Sequence, residues 1–198
     1  MKVTNGVLLA LALGTEACLL EPHPSTSRYY TLSPEVAPAE AGRAPLPSFG
    51  LGPLTLPPYL DRSEVVTRVG RDQLSYSGND RWAAPLPQLL ARALAEDLRL
   101  LLPAGEVVAW PWSRSSPPEL SASVDFLRFE AEAGGSVVLV ARWTLQPGGG
   151  GPALATGETR FHEPSTADDG AASATALSRG LAAVARDVAQ AAERARSH

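Results

Sequence analysis

Side chains that perform nucleophilic or metal chemistry are scarce in this chain of 198 residues. The sequence has one cysteine, Cys18, and three histidines, His23, His162 and His198. Only His162 falls within the part of the sequence that predicts a folded domain, and it has no obvious serine or cysteine partner. A single cysteine excludes an internal disulfide and a cysteine-rich zinc site. We therefore expect no catalytic residue, no metal site and no cofactor.

Acidic pairs do not change this expectation. Glu96-Asp97 and Asp168-Asp169 lie on, or at the start of, predicted helices, where solvation and the helix dipole account for them. Glu130 and Glu132 alternate along a predicted strand, but nothing else supports a glycosidase. An enzyme would require a pocket that joins His162 to a nucleophile, and the sequence gives no sign of one.

The four tryptophans, Trp82, Trp110, Trp112 and Trp143, allow two interpretations. Tryptophans usually anchor a hydrophobic core or a subunit interface. Alternatively, they line a cleft in which a periplasmic module binds a lipid or another apolar ligand. A filled core around Trp82 and Trp143 would exclude that cleft.

The N-terminus predicts a targeting segment. Lys2 precedes an apolar run, Val7–Leu13, that is too short to span the roughly 30 Å hydrocarbon core of a membrane. A lone Cys18 directly after such a leader is the arrangement of a bacterial lipoprotein, in which the thiol is acylated. Thr15 and Glu16 depart from the usual acylation signal, so an ordinary signal peptide, with secretion to the periplasm, remains the alternative.

Composition limits the partners and the number of domains. The formal net charge is −4, and Lys2 is the only lysine, so no clustered basic face predicts nucleic-acid binding. The 44% apolar content is sufficient for a hydrophobic core. We expect a signal segment at residues 1–18, an extended proline-containing tether at 19–27 and one folded domain at 28–195.

Periodicity predicts two helices and about seven strands. Leucines and alanines recur at helical spacing between Leu86 and Leu101, after Pro85, and a second helix runs to about Arg194. The clearest strand is Leu120–Glu132, whose apolar face switches near Phe126–Leu127, which predicts either a β-bulge or burial on both faces. Several strands are antiparallel, which together with the helices predicts an α/β sandwich with a mixed sheet.

The most unusual stretch is 56–86, which reads as turn, strand, turn, strand, loop and helix start. It resembles the PqiC/YmbA-type ABC-transport auxiliary lipoproteins, and the resemblance extends in order over residues 28–195. The matching segments are Arg28–Leu32, Leu56–Arg62, Val65–Arg68, Asp80–Leu86, Val124–Glu130 and Ala141–Trp143.

The resemblance implies a non-enzymatic, lipid-anchored subunit of an MCE-type intermembrane lipid transport system that maintains outer-membrane integrity. It implies an outer-membrane location facing the periplasm. The implied partners are a PqiB-like MCE-domain protein, a PqiA-like polytopic membrane protein and further copies of the chain, in a ring. The implied fold is a three-layer α/β/α sandwich with a mostly five-stranded mixed sheet, similar to the TolB N-terminal domain.

Two kinds of site follow from this resemblance. Cys18 is the predicted lipidation site. A contact surface for a partner or a second subunit, or the scaffold behind it, is predicted at Tyr59, Asp61, Arg62, Arg81 and Trp82. The alternative is structural, with two prolines forming a rigid turn and Asp61 and Arg62 forming an exposed ion pair of little energetic value.

Overall fold

The computed structural model describes residues 26–38, 46–103, 105–164 and 169–197. The predicted signal segment with Cys18, and residues 19–25 of the predicted tether, lie outside the described residues. The described residues form two α-helices, eight strands and a short 3-10 helix. In chain order they are β1 Arg28–Tyr30, β2 Phe49–Thr55, the 3-10 helix Pro58–Leu60, β3 Glu64–Gly70, β4 Gln73–Trp82, α1 Leu86–Leu101, β5 Val107–Ala109, β6 Leu120–Glu132, β7 Val137–Pro147, β8 Ala155–Glu163 and α2 Gly170–Arg196.

An antiparallel meander of β6, β7 and β8 forms one side of the sheet, with β8 at the edge. Strand β7 is buried on both faces from Val137 to Ala141, and its burial alternates from Arg142 to Leu145. Gly134 and Gly135 form the β6–β7 turn with φ of 92° and 90°, values that favour glycine. The pairing of β6 with β7 shifts register between Phe126 and Arg128, so the predicted bulge is confirmed.

On its other side, β6 pairs with two strands in succession. The first half of β6 pairs with β2 as far as Asp125, and its last residues pair with β3 from Ala131 onward. Residues 126–130 of β6 lie between these two pairings. We call this part of β6, and the gap between β2 and β3 beside it, the fork. Beyond the fork, β5 extends the β2 arm, and β4 and β1 extend the β3 arm. Strand β4 includes residues 79–82, which the sequence predicted as a loop.

The helices pack on one face of this sheet. Helix α1 begins after Pro85 and buries its leucine and alanine stripe, as predicted. The expectation that Asp97 is solvated is wrong, because its side chain is fully buried and accepts the Glu35 N–H at 2.9 Å. The Asp169 carboxylate caps α2 by accepting the Ala172 N–H at 2.7 Å. The buried side chains of both helices and the sheet form one hydrophobic cluster, and each fully buried leucine contributes roughly 1.5–3 kcal/mol.

The α/β sandwich with a mixed sheet and two helices is confirmed, but its details differ from those that the resemblance implied. The sheet has eight strands and not five, because two separate arms add to the β6–β8 meander. The helices contact each other and lie on the same side of the sheet, so the described residues form one helical layer. No helix in the described part of the chain has the length and apolar character of a membrane span.

The strand directions define two ends of the molecule. At one end lie the β6–β7 turn, the start of α2 and the first described residues, where the Thr26 hydroxyl contacts Asn79 at 3.2 Å. We call this the tether end. The start of β6 and the β7–β8 connection lie at the far end, where Arg196 at the close of α2 pairs with Glu119 at 3.7 Å. The 13 residues of β6 place the two ends about 40 Å apart.

Candidate functional site

The segment from Leu56 to Ser63 crosses the fork. Pro57 and Pro58 restrict its backbone, and Pro58 opens the short 3-10 helix in which the Leu60 N–H donates to the Pro57 carbonyl at 2.9 Å. Leu60 is only 1% exposed and belongs to the core. The segment is therefore a rigid bridge between the arms of the sheet.

Beneath the bridge lies a buried carboxylate. Glu130, on β6 at the fork, is completely buried. One of its oxygens accepts the Tyr59 hydroxyl at 2.9 Å. The other accepts the Arg68 Nε at 2.6 Å and the Arg128 Nε at 2.8 Å. One carboxylate thus joins the bridge, β3 and β6, at the point where the backbone ladder on that side of β6 is interrupted.

Charge pairing keeps this carboxylate ionised. Burial works to raise the pKa of Glu130, but hydrogen bonds from Arg68, Tyr59 and Arg128 outweigh it and hold the pKa below its usual value. Burial, followed by the hydrogen bond to the carboxylate, raises the pKa of Tyr59 to about 12. The phenol therefore remains a hydrogen-bond donor at neutral pH. A carboxylate held by three donors is not positioned to act as a base, which favours a structural role.

The outer surface of the bridge is different. Asp61, Arg62 and Ser63 surround a shallow pocket of about 370 Å³, with Trp82, Ala84 and Pro85 completing the lining. We call this the fork pocket. The Arg62 guanidinium lies 4.1 Å from the centre of the exposed Tyr76 ring, which is a cation–π distance. The same guanidinium is 3.5 Å from the Glu64 carboxylate. The fork pocket thus combines an apolar floor with charged groups at its rim.

The five predicted contact residues separate into an inner and an outer group. Asp61 and Arg62 are exposed at the rim of the fork pocket, and Arg81 donates to Ser63 at 3.0 Å and pairs with Glu64 at 3.4 Å. Tyr59 points to Glu130 beneath the bridge. Trp82 lines the pocket but is only 5% exposed, and its ring lies 6.3 Å from that of Phe129.

Sequence reasoning missed the partners that hold this site together. The sequence pattern does not identify Arg68 and Arg128 as partners of a buried group, shows Glu130 only as an alternating strand carboxylate, and gives no link between Tyr76 and Arg62. The alternation of Arg128, Glu130 and Glu132 on one face of an otherwise apolar strand was the available signal. Its meaning depends on strand pairing between distant parts of the chain.

The tryptophans also separate into two groups. Trp82 and Trp143 are 5% and 8% exposed, and the Trp143 indole N–H donates to the Thr159 hydroxyl at 3.2 Å. A ligand cleft lined by these two is therefore excluded, because a filled core occupies the space around them. Trp110 and Trp112 instead line a separate surface cleft of about 580 Å³ near the far end.

The described residues offer no cluster of three or more histidine, cysteine, aspartate or glutamate side chains that would hold a metal ion. His162 lies exposed on β8, opposite Val138 of β7. What the geometry provides around the fork is a rigid, charged and partly apolar surface.

Comparison with known proteins places these features in a family. The model of the family described as ABC-type transport auxiliary lipoprotein component matches residues 30–189. This range includes α1, most of α2 and the fork. A search of curated protein sequences finds no match.

Two solved structures show the same fold, and a third matches more weakly. The crystal structure of an uncharacterized protein has a TM-score of 0.67 and 23% identity, and the match covers 83% of this chain and 97% of that one. A DUF330 protein from Xanthomonas campestris has a TM-score of 0.72 and 17% identity, with 86% and 97% of the two chains covered. The PelC dodecamer from Paraburkholderia phytofirmans matches with a TM-score of 0.41 and 12% identity, over 78% of this chain and 94% of that one.

Proposed function

Because the chain belongs to the family of ABC-type transport auxiliary lipoprotein components, we propose that it is a non-enzymatic accessory subunit of an MCE-type intermembrane lipid transport system. In this role it maintains outer-membrane integrity by positioning a partner at the periplasmic side of the outer membrane. The observation that carries the proposal is the family match over residues 30–189, which takes in the fork and almost the whole sheet. The fully engaged Glu130 carboxylate supports a binding role over a catalytic one.

The anchor is the acylated Cys18. Each buried CH₂ of an acyl chain contributes about 0.8 kcal/mol to membrane binding, so several chains give a stable attachment. The first described residues enter the sheet at the tether end, which would therefore face the membrane and direct the far end into the periplasm. The intact mass of the mature N-terminus from the membrane fraction tests this. Acyl chains on Cys18 are expected, and an unmodified Cys18 in that fraction would exclude lipidation.

The fork pocket is the proposed partner surface. Its rim carries the exposed side chains of Asp61 and Arg62, and its floor is apolar where Trp82, Ala84 and Pro85 meet. An aromatic residue and an arginine are typical of the centre of protein interfaces, and polar residues are typical of the rim. We propose that it contacts a PqiB-like MCE-domain protein, which acts with a PqiA-like polytopic membrane protein, or a neighbouring copy of the chain in a ring.

Site-specific photocrosslinking in living cells tests the surface. A photoreactive residue replaces Asp61 at the rim of the fork pocket, and a matched one replaces Thr156, which is exposed on β8. Crosslinks to an MCE-domain protein, or to a second copy, are expected from position 61 and not from position 156. Crosslinks from position 156 alone would move the contact surface to β8.

A further inference from the structure

The cleft at Trp110 and Trp112 is constructed by the sequence of β2. Strand β2 begins with Phe49 and Leu51 facing the core, and glycines alternate with them at positions 50 and 52. A Cβ on Gly50 would lie 2.7 Å from the Pro118 Cγ and 2.9 Å from the Trp112 ring, and one on Gly52, where φ is +123°, would lie 2.6 Å from the Trp110 Cβ. The two glycines thus make room for the two tryptophans on the side of β2 that faces away from the core.

The indole rings hold a defined geometry there. Their centroids are 4.9 Å apart and their planes are perpendicular, in the T-shaped arrangement that aromatic pairs favour. The Trp112 indole N–H donates to the Gly148 carbonyl at 3.3 Å, which fixes that ring to the β7–β8 connection. Trp110 is 53% exposed although it is a large apolar side chain. The fold therefore holds an open aromatic surface in place without covering it.

The charge of the cleft is positive, in contrast to the net charge of the chain. Its lining is formed by Trp110, Pro111, Trp112, Arg114, Pro117, Gln146 and Gly148–Gly150. Arg114 is the only charged residue among them, and its exposed guanidinium forms no ion pair with a described residue. The nearby Glu119 is engaged with Arg196. An anionic group that enters the cleft would meet one available cation and no carboxylate among the lining residues.

We propose that this cleft binds one anionic amphiphile, with its apolar chain against Trp110 and Trp112 and its phosphate or carboxylate head at Arg114. The volume of about 580 Å³ falls within the range of small-molecule sites, which runs from roughly 300 to 1,000 Å³. The choice of an acyl chain for the apolar part rests on the proposed role in lipid transport. The combination of aromatic walls and a cation rests on the structure alone.

The test is a calorimetric titration of the full chain carrying Cys18→Ser, which removes the predicted acylation site and leaves every described residue unchanged. The probe is a short-chain lysophosphatidylglycerol below its critical micelle concentration. Trp110→Ala and Arg114→Ala are each expected to raise Kd at least about tenfold. Gly50→Ala, which crowds Trp112 and Pro118 without removing a lining residue, is expected to weaken binding in the same direction.

Matched controls lie away from the cleft. Tyr29→Ala removes another exposed aromatic ring, at the tether end, and Arg142→Ala removes an exposed arginine from β7. Both are expected to leave Kd unchanged within about twofold, and circular dichroism checks that all variants are folded. A monoacylglycerol of the same chain length and inorganic phosphate test the two halves of the ligand separately, and each should bind at least tenfold more weakly than the lysolipid.

Several results would overturn the proposal. The first is that the Cys18→Ser chain with no further substitution does not bind the lysolipid. The second is that the Trp110→Ala and Arg114→Ala variants bind it as tightly as that chain does. The third is that inorganic phosphate binds as tightly as the lysolipid. If no version of the chain binds the lysolipid, and the Trp110→Ala and Arg114→Ala variants lose a protein partner, the cleft would be assigned to a protein contact instead. Failure of the proposed function would appear in the mass of the N-terminus and in partner capture, neither of which this titration measures.

Discussion

Replacement of Glu130 by glutamine tests whether the buried carboxylate holds the fork together. The substitution keeps the size and shape of the side chain and removes its negative charge. Tyr59 and the two arginines would then donate to a neutral amide, of which only one atom accepts hydrogen bonds. Arg68 and Arg128 are partly exposed, with 24% and 31% of their side-chain surfaces accessible, so water can compensate part of the loss.

The size of the effect follows from these contacts. A hydrogen bond to a charged group is worth about 1.5–3 kcal/mol, and removal of one partner of a buried pair costs about 3–5 kcal/mol. Because the arginines can be rehydrated, we expect Glu130→Gln to lower the free energy of unfolding by about 2–4 kcal/mol. Urea denaturation monitored by circular dichroism measures this free energy.

The chain provides a matched control for this substitution. Glu158 on β8 also pairs with two arginines, at 2.9 Å to Arg142 and 2.5 Å to Arg160, but it lies at the surface. Glu158→Gln should therefore cost less than about 1 kcal/mol. Equal costs for the two substitutions would refute the idea that burial makes the Glu130 cluster important.

The pH dependence gives a second measurement on the same pair of proteins. The folded-state pKa of Glu130 lies below the usual value of 4.5. Its contribution to stability is therefore complete above the unfolded-state pKa and disappears as the pH falls through the folded-state value. The difference in unfolding free energy between the unsubstituted chain and Glu130→Gln should be constant from about pH 6 to 8. It should become smaller below about pH 4.

Three further substitutions test other contacts. Tyr59→Phe removes one hydrogen bond to the Glu130 carboxylate and should cost about 1.5–3 kcal/mol in urea denaturation, whereas a negligible cost would show that the bridge is held by its prolines alone. Burial raises the pKa of Asp97 in the folded state to about 6. Between about pH 4 and 6 the carboxyl group is therefore protonated in the folded chain and ionised in the unfolded chain, so stability falls as the pH rises through this range. Asp97→Asn should abolish that fall in thermal denaturation, and an unchanged pH profile would contradict it. Gly157→Ala places a Cβ against the Trp143 ring and should cost about 1–3 kcal/mol, seen as a lower Tm, while an unchanged Tm would show that β8 moves away freely.

Local patterns predicted the elements whose causes are local. The stripe of leucines between Pro85 and Leu101 is enough to specify α1, because a helix is stabilised by contacts within a few residues and by one apolar face. The change of apolar face near Phe126 predicted either a bulge or burial on both faces, because an extra residue shifts the alternation of a strand, and the register shift between Phe126 and Arg128 is the bulge.

Features that depend on distant pairing were not predictable in the same way. Strand β4 continues through Trp82 because β1 pairs with it on one side, although the sequence of residues 79–82 is typical of a loop. The role of Glu130 depends on Tyr59 and Arg68, which approach it only when the two arms meet β6. Nothing local distinguishes the buried Trp82 from the exposed Trp110.

The most direct test of the account is affinity capture of the full-length, natively expressed protein from gently solubilised membranes, followed by mass spectrometry of what accompanies it. The account predicts an MCE-domain protein and a polytopic membrane protein in amounts comparable to the captured chain, both lost when Asp61 and Arg62 are replaced by alanine. Recovery of the chain from membranes without any such partner would contradict the proposed role in lipid transport.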